Sequence, residues 1–280
     1  MHPGNERTRT NRDGTEETNR VRRRAYLGLA ATAAASALAG CTGEEATVSA
    51  ARRPPRVPEG RIDDGGWEQM DDVTEDPAFE QSVGPVTLTA STRTLLYEDT
   101  TLRTEIADET LGRADAQLAT FFATRATFDP DITSLPAGAG RQQLLDRVES
   151  QSRRAFTSRM EQAGLTGVER VDEETMETAS GAEARLTNFE AAYAFDGFSV
   201  GFGDRKITID GGEIPVAGHL AAWIGDDSVL VTGGAYPAEN FAREVTKTPS
   251  EAISLTVDVD LGLDPETYRE ELFGLMKRVR

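Results

Sequence analysis

The chain has 280 residues and a formal net charge of −18, with 48 Asp and Glu against 30 Lys and Arg. A balance this acidic keeps a protein soluble and argues against nucleic acid or an anionic lipid headgroup as a partner. Its single cysteine, Cys41, excludes a disulfide within the chain, so stability has to come from the core.

Residues 1–21 are polar and show no hydrophobic period. Arg22, Arg23 and Arg24 then precede a run from Ala25 to Gly40 that carries no charge. A positive n-region, a short apolar region and small residues before a cut site make an export signal. The run is shorter than the about 20 apolar residues a spanning helix needs. Arg23-Arg24-Ala25-Tyr26-Leu27 looks like the twin-arginine pattern, an address read by a receptor rather than an anchor. Leu38-Ala39-Gly40-Cys41 resembles the lipobox of bacterial and archaeal lipoproteins. That resemblance implies a glyceryl lipid on the Cys41 thiol and cleavage before it. The alternative, a buried apolar helix or an uncleaved anchor, does not account for the order of the three parts or the placement of the only cysteine. Residues 1–40 hold seven arginines against four acids, which leaves the mature chain near −21.

After Cys41, Pro54, Pro55 and Pro58 lie among Gly, Glu and Arg, a composition that favours an extended tether over a core. Asp63 to Asp76 surrounds Trp67 and Met70 with carboxylates, so these residues are expected mostly in solvent. The domains expected are a signal over 1–40, a lipidated Cys41 with a Pro-rich and acidic tether over 41–80, and a folded unit over 81–280.

Val86, Leu88 and Ala90 alternate with Thr87, Thr89 and Ser91, which predicts a strand. A second extended stretch is predicted around Leu102 to Ile106. Alternation and a high Thr content make Ala116 to Phe128 a further strand. From Arg141 to Ala163 the period changes. Leu144, Leu145, Val148, Phe156 and Met160 recur at three and four residues and Gly164 follows, predicting a helix with its C-terminal glycine. Residues 168–236 return to strands: Phe189, Ala191, Tyr193 and Phe195 on one face, a hairpin turn at Asp196-Gly197, then Lys206–Asp210, Ile214–Ile224 and Val229–Tyr236. A last run sets Ile253, Leu255, Val257 and Val259 on one face. Asp264-Pro265 then supplies an N-cap and first residue for a C-terminal helix striped by Tyr268, Leu272, Leu275, Met276 and Val279. The fold class expected is α+β: one domain, an antiparallel meander packed by two amphipathic helices.

Chemistry is sparse. Gly197-Phe198-Ser199-Val200-Gly201 matches the G-x-S-x-G nucleophile pattern, with His219 as the candidate base and Asp204 or Asp210 between them. That elbow needs a strand before the serine and a helix after it. Here a turn precedes and strands follow, so glycines beside large aromatics in a sheet explain it better. His219, on a face with Ala217, Ala221 and Trp223, reads as a half-buried, satisfied histidine. Asp258, Asp260, Asp264 and Glu266 could attract Ca²⁺, but outward carboxylates and a helix cap account for them without a metal. Gly138-Ala139-Gly140 before a helix is a weak anion-binding signal. No catalytic residue, metal site or cofactor is assigned.

The signal and lipobox (22–41), the acidic and Lys-poor composition, the order strand, helix 141–163, meander, and the run Val229 to Pro237 together resemble an uncharacterised family of twin-arginine lipoproteins from halophilic archaea. The resemblance implies a location, the outer face of the cell membrane, and a fold, but no activity. The expected function is an exported, lipid-anchored, non-catalytic binding or accessory module for a protein partner or small ligand. The alternative is a surface hydrolase using Ser199 and His219. Molar salt shortens the Debye length to about 3 Å and makes an acidic shell tolerable. The protein is therefore expected to lose compactness below about 0.1 M salt, and an identical melting temperature in dilute and molar salt would refute this.

Overall fold

The computed structural model describes residues 53–110, 112, 117–135, 138–202, 205–250 and 253–280, all within one compact unit. The export signal, Arg23, Arg24 and Cys41 lie outside the described residues. The elements run α1 (Glu59–Asp64), β1 (Trp67–Val83), β2 (Val86–Asp99), α2 (Thr100–Glu109), β3 (Thr120–Asp129), a 3₁₀ turn (Ile132–Ser134), α3 (Ala139–Gln162), β4 (Leu165–Glu177), β5 (Glu183–Phe195), β6 (Phe198–Phe202), β7 (Arg205–Ile209), β8 (Gly212–Ile224), β9 (Val229–Pro237), β10 (Ala242–Ser250), β11 (Ile253–Asp260) and α4 (Pro265–Met276).

Seven strands form one antiparallel sheet in the order β1-β2-β3-β9-β8-β5-β4, so the protein is mostly antiparallel β in a single domain. It is two meanders, β1–β3 and β4-β5-β8-β9, joined edge to edge where β3 pairs with β9. Because side chains alternate along a strand, the sheet buries two separate cores. On one face Trp67, Tyr97, Phe121 and Trp223 pack with Leu102 and Ile106 of α2 and with Leu272, Leu275 and Met276 of α4. On the other face Phe122, Phe189, Leu220 and Val231 pack with Leu144, Val148, Phe156 and Met160 of α3. Both long helices follow their sequence signals. Gly164 takes φ +90° just past α3, and the Asp264 carboxylate accepts from Thr267 N at 3.3 Å at the start of α4.

Three expectations are corrected. The tether does not extend to residue 80: α1 and β1 belong to the fold, β1 pairs with β2 from Trp67↔Asp99 to Val83↔Val86, and Trp67 is 6 % exposed. Composition misled here because β1 is an edge strand, and its outward carboxylates and Pro77 keep that edge from pairing further. Leu102 to Ile106 is helix, not strand. The Asp99 carboxylate accepts from Leu102 N at 2.9 Å, and Leu102 and Ile106 are four apart on one buried face. Asp196-Gly197 does not turn β5 back on itself. β6 and β7 form their own two-stranded sheet, and β5 pairs instead with β8. Gly197 lies against Gly211 and Ile209 O at the neck of that hairpin, where a Cβ would collide with backbone. Phe195 accordingly turns toward Phe198 and Phe241 rather than staying with Phe189. Among the described residues, the strands β10 and β11 also pair only with each other.

Because Trp67 closes one core, Trp67→Ala is expected to cost about 3–5 kcal/mol, measured by urea unfolding. A loss below about 1 kcal/mol would show that residues 54–80 are only appended to the fold.

Candidate functional site

Ser199 and His219 are not brought together as a catalytic pair. Ser199 stands on β6, where its Oγ lies 3.0 Å from Thr208 Oγ1 on the paired strand β7. His219 sits in the middle of the seven-stranded sheet, 9 % exposed, and both ring nitrogens are engaged. Nδ1 lies 2.6 Å from Asn188 Oδ1 and Nε2 lies 3.2 Å from the Tyr236 hydroxyl. Asn188 in turn donates from Nδ2 to Asp172 Oδ1 at 2.5 Å. Register makes this line: Asp172 is opposite Asn188 and Asn188 opposite His219, on three neighbouring strands. Asn188 presents its carbonyl to the ring, so in the neutral tautomer Nδ1–H donates to it and the Tyr236 O–H donates to Nε2. Tyr236 also hydrogen-bonds Arg269 of α4. Tyr236 stacks on the imidazole at 5.6 Å and Phe273 meets it edge-on at 4.8 Å.

Burial first, then the Arg269 charge, lowers the His219 pKa to about 4, against a smaller opposing pull from Asp172. A histidine that weakly basic and doubly bonded is a poor general base near neutrality. The line satisfies buried polar groups across four strands, which is the state in which such networks stabilise a fold. In the unfolded chain the imidazole titrates near 6.5. Between about pH 6.5 and 4 the unfolded state binds a proton that the folded state does not. Stability from this residue is therefore full above about pH 6.5 and falls as the pH drops toward 4, by about 3 kcal/mol. His219→Gln should accordingly cost about 2–3 kcal/mol less at pH 4.5 than at pH 7.5, read from paired denaturant titrations. An equal cost at both pH values would mean that the ring is charged or solvated in the fold.

Two of the four acidic candidates, Asp260 and Asp264, are already engaged. Asp260 accepts from Asn240 Nδ2 at 2.6 Å and Gly262 N at 2.9 Å, and Asp264 caps α4. These bonds lower both carboxyl pKa values, led by Asn240 at Asp260 and by Thr267 at Asp264. Among the described residues no group of three or more His, Cys, Asp or Glu could hold a metal ion. Gly138 is the N-cap of α3 at φ +107°, and a Cβ on Gly140 would meet Val83 at 3.0 Å.

A better-formed site lies between α3 and the first three strands, a cavity of about 360 Å³, within the usual range for small-ligand pockets. Helix α3 reaches the sheet mainly over β4, β8 and β9. Under its other flank the sheet presents Thr92, Thr94 and Thr124, which are too short to fill the space. Thr94 and Thr124 are cross-strand partners with hydroxyls 2.8 Å apart. Phe79, Phe122 and Phe156 supply apolar walls, with Phe122 and Phe156 at 5.6 Å between centroids. Arg154 and Arg159 stand at the lining from α3, both exposed, and neither forms an ion pair with a described residue. Glu75 lines the same cavity and accepts from Thr92 at 3.3 Å. Guanidinium groups that are free to fork around an oxyanion, beside aromatic walls and hydroxyls, suit an anionic head on an apolar body.

Sequence reasoning missed this cavity. Val73, Glu75 and Phe79 come from the stretch read as tether. The alternating threonines of β3 were legible as a strand, but not as a gap beneath a helix. The two arginines lie on the predicted helix, five residues apart and flanking Ala155 and Phe156, and that juxtaposition was the only signal available.

No curated protein and no solved structure matches the chain. A family model described as a domain of unknown function matches residues 54–280, starting where the described fold starts, and the chain therefore belongs to the DUF6517 family.

Proposed function

We propose that the protein is exported by the twin-arginine signal at Arg23-Arg24 and held on the outer face of the cell membrane by a lipid on Cys41. Its folded unit acts there as a non-catalytic binding module. The observation that carries the binding reading is the cavity under α3. It combines aromatic walls, threonine hydroxyls and two arginines that pair with no carboxylate among the described residues, in a unit that is otherwise rich in carboxylates. The ligand that fits is a small molecule with an anionic group and an apolar part, and neither a cofactor nor nucleic acid is part of the reading. The hydrolase alternative is disfavoured, because both nitrogens of His219 are occupied by Asn188 and Tyr236.

The start of the fold near Pro54 also shortens the tether. Twelve residues, 42–53, separate Cys41 from Pro54 and span at most about 40 Å, so the unit works close to the bilayer.

Fluorescence titration of the folded protein with anilinonaphthalene sulfonate, an aromatic anion, tests the cavity. Saturable binding is expected, weakened about tenfold or more when Arg154→Glu and Arg159→Glu are combined, with the melting temperature unchanged. Equal binding by the double variant would sink the reading.

A further inference from the structure

Helix α3 carries charged side chains on both flanks, and the two flanks treat them differently. Toward β4 and β5 its charges pair: Asp146 and Glu149 with Arg185, and Arg153 with Glu149 and Glu173. At the cavity over β1, β2 and β3 they do not. Arg154 and Arg159 line it from the helix, and Glu75 lines it from β1. Among the described residues no ion pair joins Glu75 to either guanidinium. The Glu75 carboxylate accepts at Oε2 from the Thr92 hydroxyl at 3.3 Å, and its Oε1 has no partner among the described residues.

One cavity therefore holds a positive side and a negative side that do not close on each other. A simple anion set against the arginines leaves Glu75 near it as a like charge, and a simple cation set against Glu75 leaves the arginines unmatched. A ligand with both signs gives each side its charge-assisted hydrogen bonds. The rest of the lining tolerates either sign. The hydroxyls of Thr92, Thr94 and Thr124 can donate to a carboxylate or accept from an ammonium. The Phe79 ring already has the Arg147 guanidinium 5.7 Å from its centroid, so a cation beside these aromatic walls is at home.

We propose, on the binding reading above, that the ligand of the α3 cavity is a zwitterion: an α-amino acid with an aromatic side chain. Its carboxylate lies with Arg154 and Arg159, its ammonium with Glu75, and its ring against Phe79, Phe122 and Phe156. Glu75 then sets specificity, because it selects the amino acid over the otherwise identical acid that lacks the ammonium.

The test is isothermal titration calorimetry on the folded protein at about 0.15 M salt with a matched set of probes. These are L-phenylalanine, 3-phenylpropionate (the same molecule without the ammonium) and 2-phenylethylamine (without the carboxylate). L-Phenylalanine is expected to bind about tenfold tighter, or more, than either of the others. Glu75→Gln should weaken L-phenylalanine about tenfold and leave 3-phenylpropionate as tight or tighter. Circular dichroism confirms that each variant is folded. Equal wild-type affinity for L-phenylalanine and 3-phenylpropionate, or unchanged L-phenylalanine affinity in Glu75→Gln, overturns the zwitterion. The anion reading then stands if Arg154→Glu with Arg159→Glu abolishes binding of 3-phenylpropionate. Equal affinity for 2-phenylethylamine overturns both. Binding of none of the probes overturns the zwitterion and leaves the fluorescence titration above to judge the cavity by itself.

Discussion

Strand β9 carries almost no bulk at the point where both helical layers press on the sheet, and the architecture depends on that. A Cβ on Gly233 would stand 2.7 Å from the Phe122 ring, on the α3 side. One on Gly234 would stand 2.6 Å from Leu272 of α4, on the other side. Each would also strike the backbone of a neighbouring strand, at His219 O and Thr120 O. β9 is at the same time the seam between the two meanders, since it pairs with β3 on one edge and β8 on the other. Two consecutive glycines cost backbone entropy on folding. Here they let Phe122 and Leu272 lie directly against the seam, so the two cores share a thin wall. Thr232 fastens it further, donating to Phe122 O at 2.8 Å.

The same sheet handles polar groups in two opposite ways. In its centre, His219 is buried but fully bonded, through Asn188 to Asp172 on one side and through Tyr236 to Arg269 on the other. The charges stay at the ends of the line, and the neutral groups occupy the interior, which is the cheaper arrangement where the dielectric is low. At its edges, β1 and β4 present Glu68, Asp71, Glu80, Glu169 and Glu174 to solvent. Charged edges discourage pairing with another chain. These carboxylates thus stand where an open sheet most needs protection from further pairing.

That distribution explains what could be read in the sequence. Helices α3 and α4 were plain because each buries one stripe and has a recognisable end, Gly164 in one case and Asp264-Pro265 in the other. β5, β8 and β9 were plain because they alternate or are apolar throughout. β1 was not, because an edge strand lined with carboxylates looks like a tether when composition alone is weighed. α2 was not, because Leu102 and Ile106 were its only large buried residues and the threonines around them favour strands. The cap bond from Leu102 N to Asp99 was its one local signal. The face of His219 was legible from alternation, but its partners were not, since Asn188 and Tyr236 are 31 and 17 residues away and meet it only through register. The α3 cavity is harder still. Its lining comes from β1, β2, β3 and α3, segments far apart in sequence that only the folded sheet sets side by side.

In a unit with nearly twice as many carboxylates as cations, an arginine without a carboxylate partner is informative, because Coulomb attraction and sheer number favour pairing. Arg93, Arg103, Arg125, Arg153, Arg170 and Arg185 are all paired. Arg147, Arg243 and Arg269 lie over aromatic rings. Arg154 and Arg159 at the α3 cavity stand outside both groups among the described residues. The one carboxylate that lines the same cavity, Glu75, is bonded to Thr92 across the strands instead. On the proposed reading, that leaves the two guanidiniums to an external anion, with the Phe79, Phe122 and Phe156 rings to cover its apolar part.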